Sequence, residues 1–152
     1  MISYTQRDGN SKVLATDLYY SLQERGLSVW LDIKMKKCNT AAMEEGVRNC
    51  GCVVAILSGA NPNDPSAYFN REFCVNELKW ARSSSIPITP VCDAEDKKNI
   101  GSFIQQANNK GIYNLGDTDI IHLDRSRPAY WEAGVNELLE ALTESSGQSV
   151  SV

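Results

Sequence analysis

The sequence predicts an α/β fold in which five parallel strands alternate with five helices that cover both faces of the sheet. Three observations carry that expectation. Apolar spacing switches repeatedly between short β-branched runs and helical periods. The run CVVAIL, residues 52–57, is apolar on both faces, as a central strand of a doubly covered sheet must be. The chain ends on an amphipathic segment with Trp131, Val135, Leu138, Leu139 and Leu142 on one stripe. At 152 residues, with 42% hydrophobic and 22% charged side chains, the composition is that of one globular domain.

The elements follow in order. Ile2 to Tyr4 reads as a first strand cut short at Met1, which suggests a domain normally joined to something else. The polar loop TQRDGNS offers Ser11 as a cap for a helix with Leu14, Ala15, Leu18 and Leu22 at helical spacing, ending at Arg25-Gly26. LSVWL, residues 27–31, is the second strand. The exposed basic loop DIKMKKCNT follows, with Asn39 tolerant of left-handed backbone and Thr40 available as a cap. A short helix with Met43, Val47 and Cys50 leads into CVVAIL, the third strand, which stops at Ser58-Gly59. The loop GANPNDPSA is turn chemistry throughout, and YFNREFCVNELKWA, residues 68–81, is the third helix. SIPITPVC is a fourth strand in which Pro87 and Pro90 limit ladder bonding. Ile100 to Asn108 is a short helix, DIIHL a fifth strand, and Pro128 opens the last helix. The domain is expected over residues 1–143, with residues 144–152 a flexible tail lacking any apolar period.

Several function classes fall away. A net charge of −4 and scattered Lys and Arg residues give no field for a polyanion, so nucleic acid is not an expected partner. No apolar run approaches a membrane span and the N-terminus lacks a signal-peptide pattern, so a cytoplasmic location without membrane contact is expected. Five cysteines, Cys38, Cys50, Cys52, Cys74 and Cys92, read as reduced, partly buried thiols; Cys50-x-Cys52 lacks a second pair, so no metal site is expected. In a flavodoxin-like sheet, ligands bind beyond the carboxyl ends of the strands, between the first and third. That region holds Tyr4 to Asp8 and Ser58 to Asn61. A phosphoacceptor aspartate is absent from the third strand end, which reads Ile56-Leu57-Ser58. Phosphate and dinucleotide glycine motifs are absent too, and one histidine, His122, supports no triad.

The third helix remains, with two glutamates five residues apart. At about 100° per residue, Cys74, Leu78 and Ala81 define its apolar centre. Glu72 projects roughly 155° from that centre and faces water, near the helix N-terminus where its charge favours the dipole. Glu77 projects roughly 65° away, half buried on the flank of the stripe beside Phe73. Spacing alone favours a border glutamate paired with Arg82 or Lys36 over a catalytic one.

The whole chain resembles the Toll/interleukin-1 receptor (TIR) domains: ISYTQRD, LQERGLSVWLD, DIKMKKCNT in the position of the family's BB loop, GVRNCGCVVAILS, FCVNEL and the closing YW…LLEAL. FCVNEL is similar to the WCxxEL pattern of TIR domains that cleave NAD, with Phe73 in place of tryptophan. The resemblance implies that Glu77 is catalytic in breaking the nicotinamide–ribose bond of NAD, which is substrate rather than cofactor; NADP is an open alternative. By the same analogy Phe73 lines the nicotinamide end, while strand-end position assigns Tyr4, Arg7 and Ser58 to the rest of the substrate. Family analogy further implies assembly with other TIR domains, in which Lys34, Lys36 and Lys37 reach substrate phosphates or an acidic partner surface, a solvated basic loop being the competing reading. The expected setting is immune or cell-death signalling, with linear or cyclic ADP-ribose as product. The rival is a non-enzymatic adaptor working through TIR–TIR contacts. Adaptors typically carry proline and glycine in the BB loop and lack the third-helix glutamate; this chain does neither.

Overall fold

The computed structural model describes residues 1–31 and 39–145. Strands β1 (Ile2–Ser3), β2 (Val53–Leu57), β3 (Ile88–Asp93) and β4 (Ile121–Leu123) form one parallel sheet in the order β1-β2-β3-β4. Helices α1 (Gly9–Glu24) and α2 (Thr40–Asn49) lie between β1 and β2, α3 (Glu72–Ser83) precedes β3, α4 (Ile100–Asn109) precedes β4 and α5 (Pro128–Ser145) follows it. Every residue of β2 is buried, as its two-sided apolar sequence requires.

The side chains of β2 divide the core by strand alternation. Val54 and Ile56 pack with Ile2, Tyr4 and the apolar faces of α1 and α5. Val53, Ala55 and Leu57 pack on the other side with Val47 of α2, Cys74, Leu78 and Ala81 of α3, and Phe103 of α4. Helices therefore cover both faces.

The sheet has four strands among the described residues, where five are expected. Leu27–Leu31 approaches β1 but joins it only through the bridge Ile2↔Leu31 and the bond from Ile2 N–H to Trp30 O at 3.0 Å. With β1 two residues long, this segment meets too few partners to extend a ladder. It is still the correct neighbour: β1 lies between Leu31 and β2, which places the reversal of strand order where the alternation predicts it. Pro90 is accommodated inside β3 because β4 begins to pair only at Val91.

Helix starts differ from expectation by one cap each. Asp8, not Ser11, caps α1, its Oδ2 accepting from Ser11 N at 3.2 Å and from Ser11 Oγ at 2.6 Å. Asn39 rather than Thr40 caps α2, in extended rather than left-handed backbone, with Oδ1 accepting from Ala42 N at 2.7 Å. The third helix is broken: Tyr68–Asn70 is a separate 3-10 turn, Arg71 is extended, and α3 starts at Glu72. Tyr68 and Phe69 are both buried, and Tyr68 N–H bonds Ser58 O at 3.1 Å, so the turn is tied to the end of β2 before the helix can begin. At the other end of the chain, α5 continues to Ser145, past the expected end of the domain at 143.

Candidate active site

α3 lies over β1 and beside α2, and that placement decides the fate of its two glutamates. Glu72 heads the helix and is exposed. Glu77 is 1% exposed, deeper than the half-buried position its helical angle predicts. The helical wheel sees one buried stripe, whereas α3 also packs against α2.

The carboxylate meets hydroxyls. Ser3 Oγ donates to Glu77 Oε1 at 3.4 Å, and Ser3 Oγ lies 2.6 Å from the Tyr68 hydroxyl. Strand alternation explains the presence of Ser3 here: Ile2 and Tyr4 face α1 and α5, so Ser3 faces α3. Around them the loop between β2 and α3 is tightly fixed. Thr5 Oγ1 donates to Ser66 O at 2.8 Å, Ser102 Oγ to Ala60 O at 2.7 Å, and Gln106 Nε2 to Gly59 O at 3.0 Å. Gly59 has φ +82°, and a Cβ there would stand 2.3 Å from Ala67 Cβ, so only glycine admits this close approach.

The expected pairing of Glu77 with Arg82 is not observed among the described residues. Arg82 Nη1 donates to Tyr113 O at 2.8 Å, and Lys36 falls outside the described residues. Cys50, at the end of α2, feels the carboxylate electrostatically. Burial is the main cause that pushes its thiol up, and the charge of Glu77 adds a smaller push in the same direction.

The other candidates are placed unevenly. Phe73 is 44% exposed, one helical turn before Glu77, and presents an aromatic face to solvent. Ser58 is buried at the end of β2; its carbonyl holds Tyr68, while its Oγ has no hydrogen-bond partner among the described residues. Arg7 is exposed in the loop after β1. Tyr4 packs its side chain with α1 and α5 on the opposite face of the sheet from Glu77, and its carbonyl accepts from Cys74 Sγ at 3.4 Å. Lys34, Lys36 and Lys37 lie among residues 32–38, outside the described residues. A cleft of about 700 Å³ sits at the amino end of the strands beside Trp30, Gly46 and Cys52, away from the carboxyl edge where a ligand is expected. Ser3 and Tyr68 escaped the sequence reading, although the alternation in Ile2-Ser3-Tyr4 already turns the serine away from its apolar neighbours.

Comparison with known proteins gives two findings. A family model described as TIR domain matches residues 1–139. Among solved structures, a chain from the activated Roq1 resistosome directly recognizing the pathogen effector XopQ (TIR domains) superposes with a TM-score of 0.61 at 13% identity, over 93% of this chain and 96% of that one, a likeness of fold. No curated protein matches the sequence significantly.

Proposed function

The chain belongs to the TIR domain family, and from that premise we propose that it is a NAD⁺ glycohydrolase whose catalytic carboxylate is Glu77. The observation that carries this reading is a carboxylate on α3, within FCVNEL, buried and accepting from Ser3 Oγ, which itself contacts the Tyr68 hydroxyl, while Arg82 bonds Tyr113 O instead. A carboxylate so placed is a fixed charge in a medium of low dielectric, where it acts most strongly on a developing cation.

In the proposed reaction the C1′–N bond between ribose and nicotinamide breaks, and its electron pair returns to the ring nitrogen, neutralising the pyridinium. The departing base needs no proton, so a single carboxylate suffices where glycoside hydrolysis usually employs two. The ribose becomes oxocarbenium-like, Glu77 stabilises that charge, and water adds to C1′ with loss of a proton. The products are nicotinamide, ADP-ribose and H⁺; an internal nucleophile in place of water gives a cyclic product. Phe73, exposed one turn from Glu77, is suited to pack on the nicotinamide ring. Substrate contact requires the surface over Glu77 to open, and self-association is the proposed trigger, with Lys34, Lys36 and Lys37 of the 32–38 loop meeting phosphates or a neighbouring domain. The likeness to TIR domains of an activated resistosome supports a signalling role in defence.

One observation favours the rival adaptor reading: at 1% exposure, Glu77 can also be a structural group of a domain that works only by TIR–TIR contact. Chromatography of NAD⁺ incubated with concentrated protein separates the two. Wild type and Glu72→Ala should release nicotinamide, with Glu77→Gln lower by at least about 10²-fold, the usual cost of losing one preorganised electrostatic group. Wild type that self-associates yet releases none decides for the adaptor.

A further inference from the structure

Glu77 is the last member of a short chain of hydroxyls, and the direction of that chain is fixed by its chemistry. An ionised carboxylate only accepts hydrogen bonds, and a serine hydroxyl has one hydrogen to give. If Ser3 donates to Glu77 Oε1, the 2.6 Å contact between Ser3 Oγ and Tyr68 OH must take its hydrogen from Tyr68. When Glu77 is protonated the constraint lifts, and both links can run the other way. Ser3 and Tyr68 are fully buried, so neither hydroxyl exchanges this role with bulk water.

We infer that Ser3 and Tyr68 form a hydroxyl relay that positions the Glu77 carboxylate and favours its ionised form, making both residues positioning residues for the cleavage of NAD⁺. The inference rests on the reading of Glu77 as the catalytic carboxylate, but the relay itself follows from the hydrogen bonds alone. Tyr68 is well placed for the task. Its backbone is held by Ser58 O at 3.1 Å, and the loop before it is pinned through Ser66 O and Ala60 O, so its hydroxyl cannot drift from β1. The Ser3–Glu77 link, at 3.4 Å, is longer than a fully formed O–H···O bond, as resting catalytic hydrogen bonds often are before substrate draws them in.

The ionisable side chains on the described parts of α2 and α3 are directed elsewhere. Cys50 after α2 and Cys74 on α3 are thiols, with Cys74 Sγ directed to Tyr4 O. Arg48 of α2 donates to Ser84 Oγ and to Glu44, Arg82 of α3 to Tyr113 O, and Lys79 is exposed.

The test uses Tyr68→Phe, which removes one oxygen and keeps the ring, beside Ser3→Ala, with Glu77→Gln to assign the signal. The Glu77 carboxyl is titrated by ¹³C NMR, and nicotinamide release is measured against substrate concentration and pH. Losing the donor to Ser3 weakens the charged form, so the Glu77 midpoint should rise by about half a unit to one unit in Tyr68→Phe. Correspondingly, kcat should fall about tenfold with KM nearly unchanged, and its acidic limb should move to higher pH. A purely structural tyrosine would alter thermal stability and leave the midpoint and limb in place. An unchanged midpoint in folded Tyr68→Phe overturns the relay whether or not the wild type cleaves NAD⁺. A raised midpoint with no nicotinamide from wild type upholds the relay and instead removes the NAD reading.

Discussion

Glu72 and Glu77 share a residue type and a helix, and differ in everything that surrounds them. Glu72 sits in the first turn of α3 in water, where its carboxylate favours the helix dipole. Replacing it by alanine should therefore cost at most about 1 kcal/mol in urea unfolding, and leave catalysis intact. Cys92 shows a different consequence of burial. Its thiol, ordinarily at 9.0, is pushed up to about 12, first by burial and then by the charges of Asp96 and Asp93. A folded-state pKa above the unfolded one means the folded chain holds this proton more tightly. The resulting stability is complete below about pH 9 and is lost as pH rises toward about 12. Unfolding midpoints should accordingly fall on the alkaline side, with a shallower slope in Cys92→Ala; parallel slopes would show that other groups dominate.

Close approach explains two glycines at the scale of elements. Gly46 of α2 lies under the Trp30 ring, and a Cβ there would stand 2.0 Å from it. Gly46→Ala should destabilise by about 1–3 kcal/mol through overpacking and shift tryptophan fluorescence, and a Trp30→Ala background should remove most of that cost. At Gly59 both the positive φ and the Ala67 contact oppose a side chain, so Gly59→Ala should lower the melting temperature and speed amide exchange across residues 60–67. Normal exchange there would mean the loop is held without it. Such contacts also mark where sequence reading stops. The five helices and the strands at 53–57, 88–93 and 121–123 were legible, because each has an apolar period set by its own covering layers. The 27–31 segment has the apolar residues of a strand because they face the α1 and α5 core, but among the described residues it meets β1 by a single bridge, a pairing no local pattern encodes. The break at Arg71 was invisible for a similar reason: the bond from Tyr68 to Ser58 O is a long-range event with no local signature. The positions of Phe73 and Glu77 on α3 follow from the helical period, but their exposures do not, since these depend on what packs over the helix.

For the molecule as a whole, the arrangement sets a conflict for the proposed activity. The proposed catalysis by Glu77 needs substrate at a carboxylate that is almost wholly enclosed, next to β1 and to a 58–67 loop tied to the strand by Thr5. A single chain can open that layer only by giving up part of its packing, whereas contact with a second domain can offset the cost through new buried surface. Activation then becomes a mass-action event. Nicotinamide release per chain should rise with protein concentration, in step with association measured by sedimentation, and should saturate once assembly is complete. Surface substitutions that block association without touching α3 should abolish this rise and leave the melting temperature unchanged. Constant release per chain from dilute to concentrated protein would instead mean that the isolated domain opens Glu77 by itself, and the role proposed for assembly would fall while the chemistry stood.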